Sequence, residues 1–281
     1  MGKKKSRFDL QKMKEDGRRA VWMTAYDFTT AQLAERAGME MLLVGDSLGM
    51  TVYGYDGTVP VTMDQCIYHC EAVRRGAPDT FIIGDMPFGS YQSGWKGAVE
   101  NAVRFYKEAN VDCIKLEGGK RVTEIIKAIS NAGMLVMGHI GLTPQSSSAL
   151  GGFKAQGRTA EAAMATIEDA WAVYEAGAWS ILVEAVPPEI TKMMADELPV
   201  PIYGIGAGDC DGQVMICSDI LGVFQAFTPK FVKKYADIGG EMLKVFESYS
   251  ADVRAGEFPA NEHTYKMIDG ELDKLKTMRK K

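Results

Sequence analysis

The sequence predicts a closed (β/α)8 TIM barrel, and three observations predict it. Eight short apolar, β-branched runs recur along the chain, and most of the segments between them have helical spacing and composition. The runs are apolar on both faces, as strands of a parallel sheet covered by helices must be. Eight such units over 281 residues suit one α/β barrel, a fold of about 250 residues, with an open doubly wound sheet as the alternative.

In chain order the runs are "VWMTAYD" (21–27), "MLLVGDS" (41–47), "TFIIGDMP" (80–87), "VDCIKLEG" (111–118), "MLVMGHIG" (134–141), "SILVEAV" (180–186), "PIYGIGAG" (201–208) and "QVMIC" (213–217). The helical stretches between them are "TTAQLAERAG", "TMDQCIYHCEAVRRG", "WKGAVENAVRFYKEAN", "RVTEIIKAISNAG", "TAEAAMATIEDAWAVYEAG" and "PPEITKMMADEL". Several end in Gly or Asn just before the next strand, the usual helix stop. The connection between the seventh and eighth runs is too short for a helix, so that unit is degenerate. A last helical stretch, 229–256, follows the eighth run and either closes its own barrel or packs on a neighbouring subunit.

No repeat, Pro-rich linker or low-complexity block divides the chain, which reads as a single domain, 1–281, with short basic tails, "MGKKKSR" and "KLKTMRKK". With 37 acidic against 32 basic side chains, a net charge of −5 offers no basic footprint for nucleic acid and favours small-molecule partners. No apolar run is long enough to span a membrane. Five cysteines without a framework spacing, and no signal peptide, point to the reducing cytoplasm.

In a parallel barrel the C-terminal strand ends meet at one mouth, where this fold builds its sites. The runs end in Asp46 and Ser47, Asp85, Lys115 and Glu117, His139, and Glu184, with Tyr26 at the first. One such Asp would be an ordinary helix cap. Four carboxylates in one mouth repel one another unless a cation compensates them. Oxygen ligation by Asp46 and Asp85, with Glu117 as a further candidate, suits Mg²⁺ rather than zinc. His139 is a proton donor or a rim residue bonded to a neighbour. "GIGAG" (204–208) cradles a phosphate or packs closely at the rim, and Cys66, His69 and Cys70 are a partial metal set or buried structural residues. The Gly- and Ser-rich segment 143–158 is read as a lid over the mouth.

The stretches "TAYD", "VGDSLGMTVYGYDGTVPVTMD", "AVRRGAP", "DMPFGSY", "KLEGG", "GHIGLTPQS", "GGFKAQGR", "VEAVP", "GIGAG", "DGQ" and "FPANEHTY" together resemble the ketopantoate hydroxymethyltransferase family over nearly the whole chain. The resemblance implies a barrel of the phosphoenolpyruvate mutase/isocitrate lyase type. It implies transfer of a hydroxymethyl group from 5,10-methylenetetrahydrofolate to 3-methyl-2-oxobutanoate, giving 2-dehydropantoate in pantothenate synthesis. It further implies Mg²⁺ on Asp46 and Asp85, supported by Glu117 directly or through water. The keto acid is held by Ser47 and Lys115 and by chelating the metal on Asp46 and Asp85, and Glu184 matches the general base. A homo-oligomer, often a decamer, is also implied. One departure stands out: between "GIGAG" and "DGQ" only Asp209 and Cys210 intervene, where the family pattern is usually a residue longer.

Two rival readings differ in class. A lyase or mutase of the related barrels commonly carries a "KxCGH"-type loop, absent from this sequence. A non-catalytic binding protein would be free to lose Asp46, Asp85, Lys115 or Glu184, and all four are present.

Overall fold

The structure is a computed structural model that describes residues 4–279. Strands β1 (Ala20–Thr24), β2 (Met41–Val44), β3 (Phe81–Asp85), β4 (Cys113–Glu117), β5 (Val136–Gly141), β6 (Ser180–Glu184), β7 (Ile202–Ile205) and β8 (Gly212–Met215) form a closed parallel barrel in sequence order. Closure is made by β1 on β8, in register from Ala20 opposite Gly212 to Met23 opposite Met215, which removes the open-sheet alternative. Each predicted run overlaps its strand. The surplus lies mostly at the C-terminal ends, where polar residues leave the ladder for the mouth. As expected, 206–211 joins β7 to β8 without a helix.

The period of two along each strand divides the core. Trp22, Met41, Leu43, Phe81, Ile83, Cys113, Met137 and Tyr203 belong to the inner cluster that fills the lower barrel. Leu42, Val44, Ile82, Ile114, Leu116 and Val183 face the surrounding helices, each buried aliphatic side chain contributing about 1.5–3 kcal/mol. Helix Trp95–Ala109 answers with Ala98, Ala102, Phe105 and Ala109 at helical spacing, and helix Thr123–Asn131 with Ile125, Ile126 and Ile129.

A helix absent from the sequence prediction, Arg7–Glu15, forms the barrel floor. Ser6 and Asp9 make a reciprocal capping box at its start, and Leu10 and Met13 enter the inner cluster. Gln11 donates to Pro199 O at 2.8 Å and Lys14 to Asp211 Oδ2 at 2.8 Å. Within the stretch read as a basic N-terminal tail, Lys4 pairs with Asp112 at 2.5 Å; residues 1–3 and 280–281 lie outside the described range.

The last long helix begins at Ile238, not at residue 229, and ends at Ala255. Asp237 caps it by accepting from the Gly240 N–H, while Lys230 and Phe231 turn instead onto the mouth. It buries none of its residues against the barrel.

Candidate active site

Because inward-facing side chains alternate, the same strands that are apolar at the floor become polar at the mouth. On β3 the series is Phe81, Ile83, Asp85; on β4 it is Cys113, Lys115, Glu117; on β5 Met137 is followed by His139, and on β6 Leu182 by Glu184. Asp46 sits in the turn that follows β2, two residues past Val44, and its backbone N–H donates to Asp85 Oδ2 at 2.9 Å. A cavity of about 990 Å³ is lined by Asp46, Ser47, Asp85, Lys115, Glu117, His139 and Glu184. Of the residues singled out from sequence, Tyr26 stands apart: it is buried behind the wall, with its hydroxyl 2.8 Å from Ser47 Oγ.

Lys115 is the electrostatic centre. Its Nζ lies 2.9 Å from Asp85 Oδ1, 3.5 Å from Glu117 Oε1 and 3.3 Å from His139 Nδ1. Burial works against its charge, but Asp85, Glu117 and Asp46 together hold the ammonium protonated well above its ordinary range. His139 bridges two carboxylates, with Nδ1 3.3 Å from Glu117 Oε1 and Nε2 3.1 Å from Glu184 Oε2. Burial and Lys115 favour its neutral form, yet Glu117 and Glu184 outweigh them and push the imidazole up to about 9. Burial also opposes ionisation of Glu117, but Lys115 and His139 keep it below the usual carboxylate range. Asp46 goes the other way: burial, then the charges of Asp85 and Glu117, raise it well above that range. Asp85 is raised as well, by burial first.

This pattern bears on metal binding. Asp85 Oδ1 is fully buried and lacks a well-aligned hydrogen-bond donor, although Lys115 is close. Two carboxylates at the cavity, Asp46 and Asp85, whose charged forms burial disfavours, fit a hard cation that takes one or two carboxylates and fills its other positions with water or substrate. No group of three or more His, Cys, Asp or Glu among the described residues forms a ready-made metal cage. Both Glu117 oxygens are engaged, Oε2 by the Gln145 N–H at 3.0 Å and Oε1 by Lys115 and His139, so Glu117 would act from the second rank.

Glu184 is the more open carboxylate, its side chain 15% exposed against 1% for Asp85 and Glu117. Ala185 beside it adopts φ 49°, a left-handed conformation that costs a non-glycine residue about 1–3 kcal/mol. Its N–H donates to Ile205 O and its carbonyl accepts from the Gln156 N–H, so the turn that aims Glu184 is held from both sides.

The segment 143–158 borders the mouth through Phe153, Ala155 and Arg158. "GIGAG" resolves toward rim packing. A Cβ at Gly206 would come within 2.6 Å of Phe231, and one at Gly208 within 2.3 Å of Pro188. The shortened loop after it closes with an Arg19–Asp209 ion pair at 2.6 Å. Cys66 and Cys70 are free thiols in the core, while the His69 ring contacts Tyr53 Oη at 3.0 Å. Gln145 and Tyr91, both buried beside Glu117, escaped the sequence prediction because neither ends a strand.

Comparison with known proteins places the chain in a family. Residues 4–261 match the family model for ketopantoate hydroxymethyltransferase. A 3-methyl-2-oxobutanoate hydroxymethyltransferase from Alkaliphilus metalliredigens is 63% identical over 98% of both chains. One from Desulfotalea psychrophila is 51% identical over 93% of this chain and 94% of its own. Among solved structures, a phosphonopyruvate hydrolase in complex with oxalate and Mg²⁺ superposes with a TM-score of 0.59 at 16% identity, covering 98% of this chain and 96% of its own. A 2,3-dimethylmalate lyase of the PEP mutase/isocitrate lyase superfamily gives 0.58 at 14% identity, covering 97% of this chain and 98% of its own. At those identities the likeness shows the barrel fold.

Proposed function

The chain belongs to the ketopantoate hydroxymethyltransferase family, and on that premise we propose that it moves a hydroxymethyl group from 5,10-methylenetetrahydrofolate to 3-methyl-2-oxobutanoate. The product, 2-dehydropantoate, would serve pantothenate and coenzyme A synthesis. The observation that carries the proposal is the convergence of Asp46, Asp85, Lys115 and Glu184 on one cavity.

Asp46 and Asp85 would hold Mg²⁺, with Glu117 behind them. When bound, the ion supplies Lewis-acid stabilisation of the negative charge that develops on the keto oxygen, an effect worth several kcal/mol in such sites. Lys115 binds the substrate carboxylate and Ser47, fixed by the Tyr26 hydroxyl, donates to it. Glu184 removes the C3 proton with the oxygen that His139 does not hold. His139, held cationic between Glu117 and Glu184, orients that base. The carbanion then bonds to the one-carbon unit, whose two bonds to the folate nitrogens break; water supplies the hydroxyl, and the nitrogens take up its remaining proton and the one removed from C3. The 990 Å³ cavity has room for the pterin beyond the five-carbon acid. Five free cysteines are in keeping with a reducing, cytoplasmic setting. No helix among the described residues is long and apolar enough to cross a membrane.

The direct test is solvent-deuterium incorporation at C3 of 3-methyl-2-oxobutanoate, with and without Mg²⁺, followed by addition of the folate donor. Exchange that requires the metal, with product formed once folate is present, is expected. Absence of both exchange and product under all conditions would reject the proposal.

We infer as well that the chain self-associates. Ile238, Met242, Val245, Phe246, Tyr249 and Val253 recur at helical spacing on the last long helix, and each is 38% exposed or more. A contiguous apolar stripe of this kind marks an interaction face. Light scattering should give a multiple of 30.7 kDa, reduced by Phe246→Glu. A parental mass of one chain would refute it.

A further inference from the structure

The mouth carries one buried amide that the chemistry above does not use. Gln145 is 5% exposed and follows Thr143 and Pro144 at the root of the segment bordering the cavity. Its Nε2 donates to Asp46 Oδ2 at 2.9 Å and to Met86 O at 2.9 Å, and its Oε1 accepts from the Tyr91 hydroxyl at 2.7 Å. Its backbone N–H donates to Glu117 Oε2 at 3.0 Å. Tyr91 Oη in turn accepts from the Glu117 N–H at 3.2 Å.

Every polar atom of this side chain is satisfied, and its orientation is dictated by its partners. A flipped amide would set Oε1 against a carbonyl and a carboxylate, two acceptors. The Asp46 carboxylate is thereby held by one oxygen, leaving Oδ1 as the oxygen available to the cavity. One residue thus ties the ends of β2, β3 and β4 to the chain that flanks the mouth.

We propose that Gln145 is a positioning residue for the cation site: it acts through Asp46, fixing that carboxylate so that Oδ1 is presented for ligation, and Tyr91 in turn fixes Gln145. This rests on the assignment of the metal to Asp46 and Asp85. Groups that orient ligating carboxylates typically change metal affinity by about 10–100-fold when removed.

The test is titration of Mn²⁺ into the full chain, read by the electron paramagnetic resonance signal of the free ion, with no keto acid present. Gln145→Met keeps the volume and removes the amide; Tyr91→Phe removes one hydroxyl and leaves the amide in place. Circular dichroism and the thermal midpoint report folding. Gln145→Met is expected to weaken Mn²⁺ about tenfold or more, Tyr91→Phe by a smaller factor in the same direction, and the double variant no more than Gln145→Met alone, because both act along one chain. A folded Gln145→Met with parental Mn²⁺ affinity would overturn the proposal, even if its thermal midpoint falls. Should Gln145→Met not fold, Tyr91→Phe decides, and parental affinity there overturns it equally. A parental chain that binds no Mn²⁺ rejects the metal assignment itself and this inference with it.

Discussion

Glu184→Gln is expected to slow exchange of the C3 proton of 3-methyl-2-oxobutanoate with solvent by about 10²–10⁴-fold, the usual contribution of a positioned base. The substitution keeps the shape of the side chain and, with the amide oxygen in the place of Oε2, its contact with His139, whose Nε2 lies 3.1 Å away, and replaces the other, basic oxygen by an NH2 group. Glu184 stands on β6, across the mouth from Asp46 after β2 and Asp85 on β3, so Mg²⁺ affinity should be unchanged. That separation makes the experiment specific. Exchange at the parental rate would show that another group takes the proton.

Lys115→Met should have the largest effect on the protein without metal, lowering its stability to urea by about 3–5 kcal/mol, the cost of stranding buried charge when one partner is removed. Three carboxylates, Asp46, Asp85 and Glu117, share that one ammonium, with His139 also supporting Glu117. The direction with pH follows from the shifts of Asp46 and Asp85, since Glu117, held low, contributes the opposite sign only below the ordinary carboxylate range. Asp46 and Asp85 are raised above the ordinary carboxylate range, so the folded chain keeps protons that the unfolded chain gives up above about pH 4. Stability therefore falls as pH rises from that point through their raised values. Without Lys115 the fall should be steeper, and on the proposed assignment Mg²⁺, by favouring the ionised carboxylates, should recover part of it. Keto-acid binding should be lost as well. A loss below about 1 kcal/mol, the range of an exposed ion pair, would mean that the ammonium does not compensate the cluster.

How far the sequence exposes this architecture depends on where each residue stands in its period. Asp85, Lys115, His139 and Glu184 occupy inward positions two residues beyond apolar ones, so a strand pattern and a barrel suffice to bring them together. Tyr26 ends the same kind of run but turns behind the wall, toward Ser47; being past the last ladder residue, Thr24, it no longer obeys the alternation. Gln145 lies in a loop, where no periodicity exists and only tertiary contacts reveal its burial. Helix Arg7–Glu15 was hidden for another reason. Its two buried residues, Leu10 and Met13, make too short an apolar pattern among charges to register as a helix. At the other end, the apolar residues of 224–231 mimic the start of the last helix, but Phe224, Phe227 and Phe231 are used at the mouth.

The floor helix also sets an order of events during synthesis. Lys14 bonds to Ala195 O, 181 residues later, and to Asp211 Oδ2, 197 residues later. At the usual pace of about 5–20 residues per second, this helix leaves the ribosome roughly ten seconds or more before its last partner exists. Nine residues are too few to hold a helix alone in water, where about 12–15 are needed even for favourable sequences. A helix made before every strand of the barrel is thus among the last elements to be secured, and it takes its place when β8 arrives to seal the cylinder.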